Sequence, residues 1–329
     1  MLIVGLSGLE LSAAEREQLA APQVSGVILF KRNFVSRAQV TALIDTLRAL
    51  RGDDFLVCVD QEGGAVQRFR EGFTELPALA KIGALYDADP QQALARAEEH
   101  AWLMASEMRA IGVDLSFAPV LDLARGNRAI GTRAFNARPD VVCELGLAYM
   151  RGMRLAGMAA TLKHFPGHGS VAEDTHVDRA VDDRSAATIR ADDLVPFADA
   201  IAAGAEAVMM AHVVYPQVDM KPAGYSRVWI ADVLRGELGF KGVVFSDDIS
   251  MAAGAGEGGI AERIEAHRAA GCELILACQP DIVGEALVAT RGAGAFDPRR
   301  LKNLFGGVAQ NWGEMTDNPQ YRKFVGNLP

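Results

Sequence analysis

Eight apolar runs of strand length, each followed by a longer stretch of helical periodicity, constrain the fold of this chain more than any other feature. They lie near Leu2 to Leu6, Val24 to Phe30, Phe55 to Val59, Val113 to Phe117, Ala159 to His164, Ala207 to His212, Gly242 to Ser246 and Glu273 to Cys278. This alternation is the signature of repeated strand–helix units and a parallel sheet. Eight is the number of strands that closes such a sheet into a barrel. The runs are nearly continuous in Val, Ile, Leu and Met, as expected of strands buried on both faces. Between them, Gln91 to Ala110 places Leu94, Ala97, Ala101, Met104, Ala105 and Met108 on one stripe, which suits a helix docked on a sheet. Ser36 is a good N-cap for a helix running to Leu50.

The expected fold is therefore α/β: a single-domain (β/α)8 TIM-type barrel spanning residues 1–329, in which some strands can be irregular. An open doubly wound sheet stays in play, because periodicity does not reveal closure. The absence of a Gly-rich dinucleotide fingerprint after the first run counts against it. The Gly- and Ala-rich segment from Ala252 to Gly259 reads either as a mobile loop at the barrel mouth or as a passive connection. The polar stretch Asn311 to Pro329 is expected to form a C-terminal tail on the surface.

Bulk properties agree with one enzyme-sized unit. A barrel of this type accommodates 329 residues as one domain, and 50% hydrophobic content supplies ample core. The net charge of −9 argues against a nucleic-acid or anionic-membrane surface. Cys58, Cys143, Cys272 and Cys278 lack metal or redox spacing and read as buried thiols. The N-terminal run Met1 to Leu6 has no basic flank and is too short for a signal or a span. Reduced thiols and no signal point to the cytoplasm.

In barrels the chemistry sits where strands end, and these ends are consistently polar. Run three leads into Asp60-Gln61-Glu62-Gly63-Gly64, run four is followed by Asp122 and Arg133, and run five ends in Lys163-His164. Run six ends at His212 and run seven at Ser246-Asp247-Asp248. Any one of these residues could be a helix cap or a satisfied hydrogen-bonding group. Five ends behaving alike point to one functional rim.

Pro166 and two glycines keep Lys163 to Gly169 from being a helix. The i, i+4 spacing of His164 and His168 therefore does not place them on one face as a zinc pair. The glycines are expected to let the backbone turn tightly and approach a ligand. Asp174 and His176 fall on one side if their segment is extended. A carboxylate beside an imidazole fixes its tautomer and favours its protonated form; an exposed loop with an incidental Asp and His is the alternative. Asp247, at the end of an apolar run, is a candidate nucleophile. Only one of Asp247 and Asp248 should face the barrel axis, leaving Asp248 to cap the next helix or support its neighbour by hydrogen bonding. Asp60 has either a structural role or, beside Gly63 and Gly64, a ligand contact.

Taken together, Asp60 to Gly64, Lys163 to Gly169, Asp174-x-His176 and Ser246 to Met251 resemble the family 3 glycoside hydrolases. Within that family they look like the bacterial β-N-acetylhexosaminidase branch of peptidoglycan recycling. The resemblance covers about residues 1 to 290, and its specificity lies in the ordered set of motifs. It implies a retaining mechanism: Asp247 as nucleophile, His176 as proton donor and later base, and Asp174 orienting and tuning His176. It implies that Asp60, Arg68, Arg133, Lys163 and His164 bind the terminal sugar. The implied substrate is β-1,4-linked N-acetylglucosamine on an anhydro-N-acetylmuramyl peptide, which places the activity in cell-wall turnover, cell shape and division. The β-glucosidase branch uses a glutamate from a second domain, for which this chain leaves no room after the eighth run.

No cofactor and no metal are implied, and the expected partner is a small-molecule muropeptide or N-acetylglucosaminide bound by a monomer. Two other functions compete. A metal-dependent hydrolase would gather His164, His168 and His176 around an ion. A sugar-binding sensor would keep the pocket without turnover. His168 receives no role.

Overall fold

In a computed structural model, residues 1–172, 180–251, 258–292, 298–307 and 309–329 are described. Asp174, His176 and most of the Gly- and Ala-rich stretch after run seven lie outside the described residues. The eight apolar runs form the strands of one parallel sheet: β1 (Leu2–Gly5), β2 (Val24–Leu29), β3 (Leu56–Val59), β4 (Leu115–Ser116), β5 (Thr161–Phe165), β6 (Ala207–Met210), β7 (Val243–Asp248) and β8 (Leu274–Ala277). Their spatial order is β4-β3-β2-β1-β8-β7-β6-β5. The two outer strands meet just beyond β4. Thr161 N–H donates to the Ala118 carbonyl (2.8 Å), Leu121 N–H donates to the Lys163 carbonyl (2.8 Å), and Val120 bridges Lys163 in parallel register. Those contacts bring the edges together into a (β/α)8 barrel and dispose of the open sheet.

The strands read as unbroken apolar runs because each contributes to two cores. Side chains alternate between faces, so Ile3, Ile28, Cys58, Phe117, Met209, Phe245 and Leu276 fill the barrel interior. Their neighbours Val4, Val27, Val57, Val208, Val244 and Ile275 pack outward under the helices. Phe117 and Phe245 meet edge to face inside the barrel, with ring centroids 5.2 Å apart. All four cysteines are buried free thiols.

The predicted helices form. Ser36 caps Arg37–Arg51 by accepting the Gln39 N–H, and Asp89 caps Pro90–Ala110, which lays Ala97, Ala101, Met104, Ala105 and Met108 on the core. The C-terminal stretch is more ordered than its polarity suggests. It makes two short helices, Trp312–Asp317 and Pro319–Asn327. Trp312 packs edge-on against Phe73, and Tyr321 donates its hydroxyl to buried Glu107 at 2.6 Å. Among the described residues no helix is long and apolar enough to cross a membrane.

Two strands lose regular register near their C-terminal ends. In β5 the break with β6 lies between Leu162 and Phe165, and in β7 the break with β8 lies between Phe245 and Asp248. Such irregularities re-aim side chains. They fall on Lys163-His164 and on Asp247.

Candidate active site

The C-terminal ends of the strands surround a cavity of about 410 Å³, within the ~300–1,000 Å³ usual for small-molecule sites. Asp60, Arg68, Arg133, Lys163, His164 and Asp247 all line it. Six candidates from four segments of the sequence thus reach one space. Asp174 and His176, the remaining pair, lie outside the described residues.

The polar wall is built on β3 and β5. Asp60 follows β3 directly, and the chain then makes a tight antiparallel hairpin, Gln61–Gly63 against Val66–Gln67. The hairpin returns Arg68 to Asp60, with a guanidinium nitrogen 3.1 Å from Oδ2. Gln61 pins the turn from within: its amide donates to the Phe69 carbonyl and accepts from the N–H groups of Arg68 and Phe69. Lys163, only 2% exposed, sets its Nζ between two carboxylates, 3.0 Å from Asp60 Oδ1 and 2.6 Å from Glu62 Oε1. Arg133 grips the same Glu62 with a fork, Nε and Nη2 each donating at 2.8 Å.

This network decides the ionisation of the wall. Burial alone would raise the Asp60 and Glu62 carboxyls, because a low dielectric disfavours charge. The neighbouring cations win. Lys163 and Arg68 hold Asp60 far below the usual carboxylate range, and Arg133 with Lys163 holds Glu62 at about 2. The cavity therefore presents fixed cationic donors and a fixed carboxylate acceptor, a set suited to hydroxyl-rich ligands.

His164 is oriented by Asp122, whose carboxylate is fully buried and lies 2.7 Å from Nδ1. A carboxylate only accepts, so Nδ1 carries the proton and Nε2 is the nitrogen available to a ligand. Burial would raise Asp122, but the adjacent imidazole holds it below the usual range. Asp122 also accepts the backbone N–H of His168 at 2.6 Å. His168 itself is buried, with Nδ1 3.0 Å from the Asn127 amide, and burial lowers its pKa. The rings of His164 and His168 stand edge to face with centroids 6.0 Å apart, each tied to a different partner.

Three sequence readings need correction. Asp247 and Asp248 both border the cavity, because the register break in β7 interrupts the simple alternation that would send one of them away. Gly63 and Gly64 do not line the cavity. Gly63 has φ +99°, and a Cβ there would fall 2.6 Å from the Pro77 carbonyl oxygen and 2.9 Å from His100 Nε2. Close packing of protein on protein requires the glycine. The same holds for Gly169, where a Cβ would lie 1.8 Å from the Leu123 carbonyl oxygen.

Sequence reasoning missed the roles of Glu62 and Asp122. Glu62 lies two residues after Asp60 on an extended hairpin strand, so period two places both carboxylates on one side; that signal was available. For Asp122 nothing local identifies the partner, since His164 is 42 residues away.

A parallel barrel with buried, ion-paired polar groups at the C-terminal strand ends is the architecture of a barrel enzyme acting on a polar small molecule. Residues 2–302 match the glycosyl hydrolase family 3 N terminal domain, and the chain belongs to that family. It is a glycoside hydrolase of the β-hexosaminidase type. A β-hexosaminidase of Stenotrophomonas maltophilia (strain R551-3) is 62% identical over 312 residues, covering 95% of this chain and 93% of the relative. The crystal structure of NagZ from Neisseria gonorrhoeae in complex with N-trifluoroacetyl-D-glucosamine superposes with a TM-score of 0.93 at 39% identity, covering 99% of this chain and 96% of that one. A β-N-acetylhexosaminidase from Beutenbergia cavernae superposes with a TM-score of 0.79 at 30% identity, covering 99% and 93%.

Proposed function

We propose that this chain is a retaining exo-β-N-acetylglucosaminidase that removes terminal β-1,4-linked N-acetylglucosamine from anhydro-N-acetylmuramyl peptides during peptidoglycan recycling in the cytoplasm. One observation carries the reading: Asp247 opens into the same cavity as the Asp60, Arg68, Arg133, Lys163 and His164 wall. A nucleophilic carboxylate needs the sugar held beside it, and this wall supplies donors and an acceptor for sugar hydroxyls. The β-hexosaminidase relatives, and the N-trifluoroacetyl-D-glucosamine held by the Neisseria NagZ, support an N-acetylated sugar as ligand.

In the first step an Asp247 oxygen forms a bond to the anomeric carbon while the bond to the leaving oxygen breaks. His176 gives that oxygen its proton. In the second step His176 takes a proton from water, the water oxygen bonds the anomeric carbon, and the Asp247 ester bond breaks. Asp174 orients the imidazole and favours its charged form. Most retaining enzymes use a second carboxyl as the acid. A histidine, with an ordinary pKa near ~6.5, can both give and take a proton at neutral pH. Asp60 and the cations around it hold the sugar through both steps.

The test is turnover of aryl β-N-acetylglucosaminides by the wild type, Asp247→Ala and His176→Ala. Asp247→Ala is expected to be inactive on every leaving group. His176→Ala should retain most activity on aryl groups that depart without a proton and lose it on poor ones. Full activity in Asp247→Ala defeats the nucleophile assignment, and equal losses across all leaving groups defeat the acid assignment.

A further inference from the structure

Asp247 reaches the cavity from a strand that has lost regular pairing, since the β7–β8 register breaks between Phe245 and Asp248. The ordinary ladder therefore does not fix its carboxylate. Asp248 does, and every polar group it owns is engaged. Its backbone N–H donates to Asp247 Oδ1 at 2.8 Å, which orients that carboxylate. Its own carboxylate accepts the Cys278 N–H of the β8 end at 3.2 Å and both the N–H and hydroxyl of Ser250. Its carbonyl faces Nε2 of His212, at the β6 end, at 3.1 Å. One residue thus ties the β6 and β8 strand ends to the group beside it.

The His212 contact has a defined chemistry. A carbonyl oxygen only accepts, so Nε2 must carry the proton. Among the described residues Nδ1 is buried without a hydrogen-bond partner, so nothing there compensates a second proton and its charge. Burial accordingly lowers the pKa of His212. The ring is held from behind by His267 and Tyr225, whose centroids lie 5.7 and 6.0 Å away. Gly224 makes room for that stack, because a Cβ there would sit 2.6 Å from His267 Cε1.

We propose that Asp248 and His212 are positioning residues for the glycosyl-transfer step: His212 holds the Asp248 carbonyl, and Asp248 in turn aims the Asp247 carboxylate. The inference rests on the reading of Asp247 as nucleophile. His212 does not line the cavity, so its loss should slow chemistry and leave ground-state binding alone. Misplacing a reacting group by about 1 Å costs on the order of 100-fold in rate.

The test uses a 5-fluoro-N-acetylglucosaminyl fluoride. The Asp247 oxygen bonds the anomeric carbon, fluoride leaves with its electron pair, and the ring fluorine slows hydrolysis so that the ester accumulates. Labelling rates are followed by mass spectrometry and the site is located by peptide mapping. Binding of free N-acetylglucosamine is titrated in parallel. Wild type should label on Asp247. His212→Leu should label about 100-fold more slowly with unchanged sugar affinity, and His212→Gln, which keeps an N–H at the ε position, should restore most of the rate. If His212→Leu does not fold, His212→Asn, whose amide is one atom shorter, should be slow where His212→Gln is fast. Equal labelling by His212→Leu and wild type overturns the proposal, as does equal slowing by Gln and Asn in variants that melt like wild type. A wild-type label on a residue other than Asp247 instead overturns the nucleophile reading, and this inference with it.

Discussion

Glu62→Gln isolates the electrostatics of the cavity wall. The substitution keeps the shape of the side chain and removes the charge that Arg133 and Lys163 share. Glu62 and Lys163 side chains are each 2% exposed, so solvent screens little of the interaction. The fall of the Glu62 pKa from its ordinary 4.5 to about 2 corresponds, at ~1.36 kcal/mol per pH unit, to about 3 kcal/mol of stability at neutral pH. The usual cost of removing one partner from a buried pair, about 3–5 kcal/mol, agrees. Because the folded pKa is depressed, this contribution is complete above the unfolded value and disappears as pH falls from about 4.5 towards 2. Urea unfolding of both proteins should therefore show a gap of about 3 kcal/mol that is flat from neutral pH upward and closes on acidification. The KM of the variant should rise, because Arg133 and Lys163 lose the acceptor that holds them at the cavity. A gap below ~0.5 kcal/mol at neutral pH, the scale of an ordinary surface substitution, refutes the reasoning. So does a gap unchanged by acid.

Three further outcomes follow from the same structure. Asp122→Asn removes the charged acceptor that sets the His164 tautomer, and should raise KM about 10-fold or more, the scale of losing a charge-assisted hydrogen bond, with kcat less affected; steady-state kinetics decide. Phe245→Ala empties the barrel interior where Phe117 and Phe245 meet and should cost about 3–5 kcal/mol in denaturant unfolding. Exhaustive chelation should leave kcat/KM unchanged; a loss restored by zinc would return the metal-dependent reading of His164, His168 and His176.

The eight strands were legible because barrel geometry makes them so: Val27 faces the helices and Ile28 the interior, and both positions demand apolar side chains. For the same reason Asp60, Lys163, His164 and Asp247 stood out, as charges or imidazoles ending apolar runs. Of their supports, Glu62 was signalled only by its period-two spacing from Asp60; its arginine lies 71 residues away and the histidine of Asp122 lies 42 residues away, and no local pattern encodes those partners. Glycines misled for a related cause. Gly63 looks like a ligand-approach residue in sequence, yet its constraint is the Pro77 carbonyl oxygen, which only tertiary packing brings near. The register break in β7 was equally unreadable, so the joint exposure of Asp247 and Asp248 to the cavity came from the structure.

The central claim is that Asp247 carries the sugar as a covalent ester through a double displacement. Proton NMR of an aryl β-N-acetylglucosaminide digest, recorded before mutarotation, tests it most directly. The account predicts that the first-formed N-acetylglucosamine is the β-anomer; an α-anomer appearing first would contradict it.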